Sequence, residues 1–221
     1  MTFAAYLTQP PQQERSRASM HQMLDAAAQI LETKTFDELT IAEVVQRADA
    51  SVGAFYGRFR DKEALLQALD ERFFVEFEQA ITALLTPGHW DGQPLPAIIA
   101  EVARLFVTTY SQQRGVLRSL YLKARQSADW RFRAREQRAW DELFPRFQSV
   151  LLAHATAMTH PDPPLAIRFG FQQMFYTLRE VLLWDSLRSD TTYGDEELVT
   201  ELTRAYLAYL GVAVERAEAA T

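Results

Sequence analysis

From Asp61 to Thr86 the chain carries neither glycine nor proline, so about 25 residues are free to form one uninterrupted helix, roughly 37 Å long at 1.5 Å per residue. A segment of that length fits neither a strand nor a chain of tight turns. Asp61 is a suitable N-cap for it, because a short side-chain oxygen can accept from a first-turn amide. The densest groups of the 8 glycines and 9 prolines fall near 87–96 and 161–164, and the stretches between are rich in Ala, Leu, Glu, Gln and Arg. No strand-like alternation of useful length and no internal repeat occurs. The expected fold class is all-α.

Apolar periodicity divides the chain further. Met20, Met23, Leu24, Ala27, Ile30 and Leu31 recur at three- and four-residue steps and predict a first helix from Glu14 to about Thr33. Thr40-Ile41-Ala42-Glu43 reads as a capping box opening a second helix to about Ala48. Ser51 caps a short third helix with Val52, Phe55, Tyr56 and Phe59 on its apolar side, and Phe55 and Phe59 are expected in the core. After the Pro87–Pro96 loop, Ile98, Val102, Leu105, Phe106 and Tyr110 suggest one helix, and Val116 to Gln126 another after Gly115. A segment from about Asp129 to Ala157 contains Pro145, which should kink or split it. Two apolar helices, about 164–187 and about 194–215, close the chain.

Composition narrows the class. With no cysteine, disulfides and thiolate metal sites are excluded and a cytoplasmic address fits. Met1 to Gln13 lacks a basic start and a sustained apolar run, so 1–13 reads as a flexible N-terminal arm. No apolar run approaches the roughly 18 residues of a membrane helix, and no membrane partner is expected. The net charge is −6, and residues 1–75 hold 8 Lys/Arg against 11 Asp/Glu, so bulk charge does not point to nucleic acid. Locally, Arg47, Arg58, Arg60 and Lys62 face only Asp49 and Asp61 in sequence, which allows a small positive patch.

Two short helices joined by Ala48-Asp49-Ala50, the second starting with small residues, suit docking in a DNA major groove. Gly53 and Ala54 keep the second helix narrow toward base edges, Val52 and Ala54 are candidates for sequence reading, and Tyr56 and Lys62 could bond phosphates. Here the sequence resembles the TetR family of bacterial regulators, in Leu24-Asp25-Ala26-Ala27, in Thr40-Ile41-Ala42-Glu43-Val44-Val45, and from Ala48 through Gly53-Ala54-Phe55-Tyr56-Gly57 to Asp61-Lys62-Glu63-Ala64-Leu65-Leu66. Asp49 stands where the family commonly has Gly, and Arg58 where His is common. The resemblance implies a three-helix helix-turn-helix DNA-binding domain over 14–60, with Ser51 to Gly57 as recognition helix and Thr40, Tyr56 and Lys62 on phosphates. It also implies a larger helical ligand-binding and dimerisation domain over 61–221, with the helix from Asp61 as connector. The DNA-binding candidates are therefore Thr40, Arg47, Ser51, Val52, Gly53, Ala54, Tyr56, Arg58 and Lys62.

In the larger domain, Phe106, Tyr110, Tyr121, Trp130, Trp140, Phe171, Met174, Phe175 and Trp184 supply enough aromatic and soft apolar surface to line a cavity, and Arg125 could hold an anionic group in it. The last two helices are apolar over a wide arc, which suits two partners, one of them a second subunit, with Gly170 allowing close approach. The four histidines have no metal-ligand spacing and no nucleotide loop or nucleophile elbow occurs, so neither an enzyme nor a cofactor or metal site is expected. The expected function is that of a homodimeric repressor released from a double-stranded DNA operator by a small-molecule effector of unknown identity. The alternative is a TetR-like ligand- or partner-binding module without operator binding.

Overall fold

A computed structural model of the chain describes residues 14–86, 88–126, 131–184 and 193–212. The expected arm 1–13 and Trp130 lie outside the described residues. Among the described residues the fold is all-α, with helices α1 (Glu14–Leu31), α2 (Ile41–Arg47), α3 (Val52–Tyr56), α4 (Lys62–Leu84), α5 (Leu95–Gln112), α6 (Arg114–Gln126), α7 (Arg131–Leu152), α8 (Pro163–Trp184) and α9 (Asp195–Leu210). No helix among them is long and apolar enough to cross a membrane.

The helices begin where side chains satisfy first-turn amides that have no helical partner. Thr40 and Glu43 form the reciprocal capping box of α2, Ser51 accepts from the Ala54 amide at α3, and Asp61 accepts from the Ala64 amide at α4. At α8 the prolines have no N–H to satisfy, and Asp162 takes the Leu165 amide at 3.0 Å. The last helix is shorter than its apolar pattern predicts, because Gly211 adopts a left-handed φ of 70° and closes it at Leu210.

Of the kink or split expected at Pro145, the split does not occur, and α7 runs through it from Arg131 to Leu152. Pro145 is exposed, so water can satisfy the carbonyl that loses its amide partner. The opposite face holds the helix through Leu143, Phe147 and Leu151, buried at four-residue steps.

By its contacts the chain divides into two compact units, one formed by the chain up to Glu78 with Gln113–Arg135, the other by Gln79–Gln112 with the chain from Glu136. In the first unit α1 supplies a dry face of Met23, Leu24, Ala27 and Leu31, each 0% exposed. The start of α6 docks on the end of α1, where a Cβ added at Gly115 would lie 2.3 Å from the Leu31 carbonyl group. Around that contact the Gly115 amide donates to the Glu32 carboxylate at 3.1 Å and Arg118 donates to the Leu31 carbonyl at 3.1 Å. Glu32 thereby caps α6, which starts at Arg114 with Gly115 inside it.

The same unit holds an acid pair around one half-buried guanidinium. Arg135 lies 3.2 Å from the carboxylate of Asp70 and 2.6 Å from that of Glu71, and Asp70 is 3% exposed. Burial raises the Asp70 carboxyl to about 7; the Arg135 charge opposes this shift and the Glu71 charge adds to it.

In the second unit α5, α8 and α9 pack together, and α5 is tied to α9 by Arg104 to Glu196 at 3.0 Å and Ser111 to Asp195 at 3.0 Å. Gly170 does allow a close approach, but from within the chain. The ring of Tyr206 on α9 fills the space where its Cβ would be, at 2.3 Å, and the Tyr206 hydroxyl donates to the Ile167 carbonyl at 2.6 Å. The notch expected to receive a second subunit is already occupied.

Candidate nucleic-acid interface

The helix-turn-helix is built from short-range chemistry. α2 closes on Ala48, and the Ala50 amide reaches back to the Val45 carbonyl at 2.9 Å. Asp49 between them takes a left-handed φ of 49°, the only non-glycine among the described residues to do so. Asp tolerates that region better than most side chains, which is why the chain turns here without glycine. Beyond the turn the Phe55 and Phe59 rings, both 0% exposed and 5.2 Å apart, fix α3 against the interior.

With Phe55 as its anchor, α3 turns its other sides outward. Ser51, Gly53 and Tyr56 are exposed, Val52 and Tyr56 stand 50% and 51% open to solvent, and Ala54 is half-buried. A Cβ at Gly53 would meet nothing nearer than the Ser51 hydroxyl at 3.8 Å. Packing within the chain therefore does not require glycine there. Its absent side chain clears space on the outer surface of a helix that also leaves a valine and a tyrosine uncovered.

The candidate phosphate contacts separate into two kinds. Thr40 is exposed at the N-cap of α2, with its hydroxyl 2.8 Å from a Glu43 oxygen that also accepts from the Thr40 amide at 3.1 Å. Arg47 is exposed at the end of α2, Tyr56 at the end of α3, and Arg58 is half-buried with a donor 3.2 Å from the Gly57 carbonyl. These residues lie on or beside the two helices of the motif. Lys62 is different. Its ammonium donates to the carbonyls of Phe36, Asp37 and Leu39 at 2.9, 3.1 and 3.1 Å and sits 4.8 Å over the Phe36 ring. All three protons have partners in this arrangement, and a phosphate contact would require one of these bonds to be given up.

A second lysine escapes sequence reasoning. Lys34 pairs with Glu43 and is the first cause holding that carboxyl at about 2, with the Thr40 hydrogen bonds next. The capping carboxylate thus stays ionised and engaged. Nothing local in sequence marks Lys34, because its partner lies nine residues on, inside α2.

Of the residues expected to line a ligand cavity, Phe106, Tyr110, Trp140, Phe171, Met174 and Phe175 fall in the second unit. The Trp140 ring lies 5.0 Å from Phe175, 5.3 Å from Phe171 and 6.0 Å from Phe106, and Tyr110 lies 5.9 Å from Phe175. Met174 is buried beside them in sequence on α8. Tyr121 and Arg125 belong to the first unit, where Tyr121 packs edge-on against Phe132 at 4.9 Å and Arg125 is exposed on α6.

Comparison with known proteins agrees with this geometry. A family model described as bacterial regulatory proteins, tetR family, matches residues 23–69. The A-factor receptor protein of Streptomyces griseus is 30% identical over 89 residues, or 39% of this chain and 28% of that protein, so the chain spans just over a quarter of this curated relative's length. Among solved structures, a bacterial regulatory protein in the tetR family from Rhodococcus RHA1 superposes with a TM-score of 0.64 at 20% identity, covering 89% of this chain and 98% of that one. The fatty acid degradation regulator FadR from Bacillus halodurans superposes with a TM-score of 0.60 at 16% identity, covering 87% and 95%. These structural likenesses extend the shared fold over nearly the whole chain.

Proposed function

We propose, from the premise that the chain belongs to the TetR family by its N-terminal domain, that it is a transcriptional repressor that binds a DNA operator as a homodimer and is released by a small-molecule effector. The observation that carries the reading is the outer surface of α3, where Ser51, Val52, Gly53 and Tyr56 are uncovered on a helix capped and anchored from its other side. Val52, Gly53 and Ala54 read base edges in the major groove, while Thr40, Arg47, Ser51, Tyr56 and Arg58 bind the phosphates on either side. Lys62 acts by holding the 36–39 carbonyls, and through them Thr40, in place. No base-reading residue carries a charge, so affinity rests on phosphate contacts and specificity on shape and methyl contact.

In this reading residues 14–60 bind DNA, 61–221 bind effector and dimerise, and α4 carries the signal, because it contributes residues to both compact units. The protein works in the cytoplasm, where operator DNA is. Dimerisation runs through α8 and α9. Leu165, Phe169 and Tyr176 are exposed on one face of α8, at steps of four and seven, and Phe169 continues onto Tyr209 of α9 at 5.3 Å. Such a face is stabilised by a copy of itself around a twofold axis. Two heads related in this way address half-sites about one helical turn, or a multiple of it, apart.

The test is a gel-shift titration on DNA from upstream of the protein's own gene, at several salt concentrations. Sequence-dependent, salt-sensitive binding to a palindromic site is expected. Its absence under every condition, or binding by a monomer, overturns the reading.

A further inference from the structure

Resting on the effector-binding reading of the second unit, we propose that its effector is an uncharged, compact apolar molecule seated in the cavity beside Trp140. That cavity lies among Leu84, Val102, Phe106, Trp140, Phe144 and Phe171. Every lining residue is apolar by type, and the indole N–H of Trp140 is the one polar side-chain group among them. A carboxylate or ammonium buried there would lose its hydration with no counter-charge among the lining side chains to offset the loss.

The cavity is a slot with a mouth. Phe106, Leu143, Phe147 and Phe171 are buried at its floor, whereas Leu84, Trp140 and Phe144 stay half-buried at its rim. Its free volume is about 10 Å³, enough for about one water molecule, and a water there would find almost no polar partner. The slot is therefore dry and narrow, and the uncovered indole and phenyl surface at its rim is stabilised by an apolar guest that parts the rings. Rings already arranged edge-to-face at 5.3 to 5.8 Å, such as Trp140 and Phe106 around Phe171, favour a flat guest that continues the pattern.

Cations do stand on the aromatic cluster, but not in the lining. Arg168 sits 5.8 Å over Phe144, and Arg179 sits 5.7 Å over Phe175 and 4.8 Å over Tyr176. An anionic guest would have to recruit one of these, or Arg146, which donates to the Leu85 carbonyl at 3.5 Å, and the experiment separates that case.

Full-length protein is titrated with naphthalene, 1-naphthoate and 1-naphthylmethylammonium at neutral pH, reading melting temperature and tryptophan emission. Naphthalene is expected to raise the melting temperature and change the emission, with each charged probe at least about tenfold weaker, a difference of about 1.4 kcal/mol. Trp140→Phe should lose most of the emission change and keep the thermal shift. Val102→Phe should fill the slot and abolish both signals, and Phe106→Leu should enlarge it and tighten naphthalene. Equal or stronger binding of 1-naphthoate, no binding of naphthalene, or indifference to both cavity variants overturns the assignment. Failure of operator binding with naphthalene binding intact would refute the regulator reading alone, because the titration contains no DNA.

Discussion

The ammonium of Lys62 donates to the carbonyl of Leu39 at 3.1 Å, one residue before the threonine that caps α2. Lys62→Ala leaves three carbonyls without this donor and loosens the loop that presents Thr40. Operator affinity should fall and the melting temperature should drop by several degrees, in line with the loss of charged hydrogen bonds worth about 1.5–3 kcal/mol. The slope of log K against log salt should stay as it was. A slope reduced by about 0.9 would instead make Lys62 a direct phosphate contact.

Asp49 is held at a φ of 49°, where glycine pays no steric penalty. Asp49→Gly should raise stability by about 0.5–1 kcal/mol, and Asp49→Val should lower it by more, because a branched side chain is least at ease there. Chemical denaturation of the three proteins orders them. A less stable glycine variant contradicts the strain assignment.

Thr40 and Ser51 each accept from the amide three residues on. Alanine at either position should cost about 1 kcal/mol of stability through the lost cap. Because both side chains also stand on the proposed DNA side, operator binding should weaken beyond what the stability loss explains. Affinity measured well below the melting temperature isolates that part.

Gly115 and Gly170 are both tight, with different neighbours. At Gly115 the obstruction is the backbone of Leu31, which cannot swing aside, and at Gly170 it is the Tyr206 ring. Each alanine variant should lose about 1–3 kcal/mol by overpacking. Tyr206→Leu should partly rescue Gly170→Ala, whereas no side-chain change at Leu31 should rescue Gly115→Ala. Rescue at Leu31 would mean that the contact is not with the backbone.

Asp70 titrates at about 7 in the folded chain against an ordinary 3.8. Its folded value is raised, so the folded state binds the extra proton between those limits and this residue's contribution to stability falls as pH rises from about 4 to about 7. The loss amounts to a few kcal/mol in order of magnitude. Asp70→Asn should flatten the stability profile over that window. An unchanged profile would show that the carboxyl titrates normally.

What could be read from the sequence follows the reach of each interaction. The capping box of Thr40 and Glu43, the Ser51 cap and the Asp61 cap all act across three residues, and the sequence shows them directly. Phe55 and Phe59 announce the anchored side of α3 by their spacing. The three-carbonyl seat of Lys62 spans 23 to 26 residues, and the Gly115 seat on α1 spans 83. No periodicity encodes such partners. Pro145 does not split its helix, because a helix exposed at that point can leave one carbonyl to water while its buried face holds the residues on both sides of the proline. Tyr121 and Arg125 resemble cavity residues by type, but sequence does not reveal that α6 packs with α1.

The seating of α6 on α1 bears on how such proteins can be recombined. The helices proposed to read DNA end before residue 60, yet Leu31 offers its carbonyl to Arg118 and its backbone to Gly115, more than eighty residues downstream. A head cut out at residue 60 would expose the end of α1 and leave that carbonyl without its guanidinium. A chimera that transplants operator specificity into another regulator should therefore carry Gln113–Arg135 with the head. The compact unit that holds the helix-turn-helix is discontinuous in sequence, and its second segment lies outside the residues proposed to read DNA.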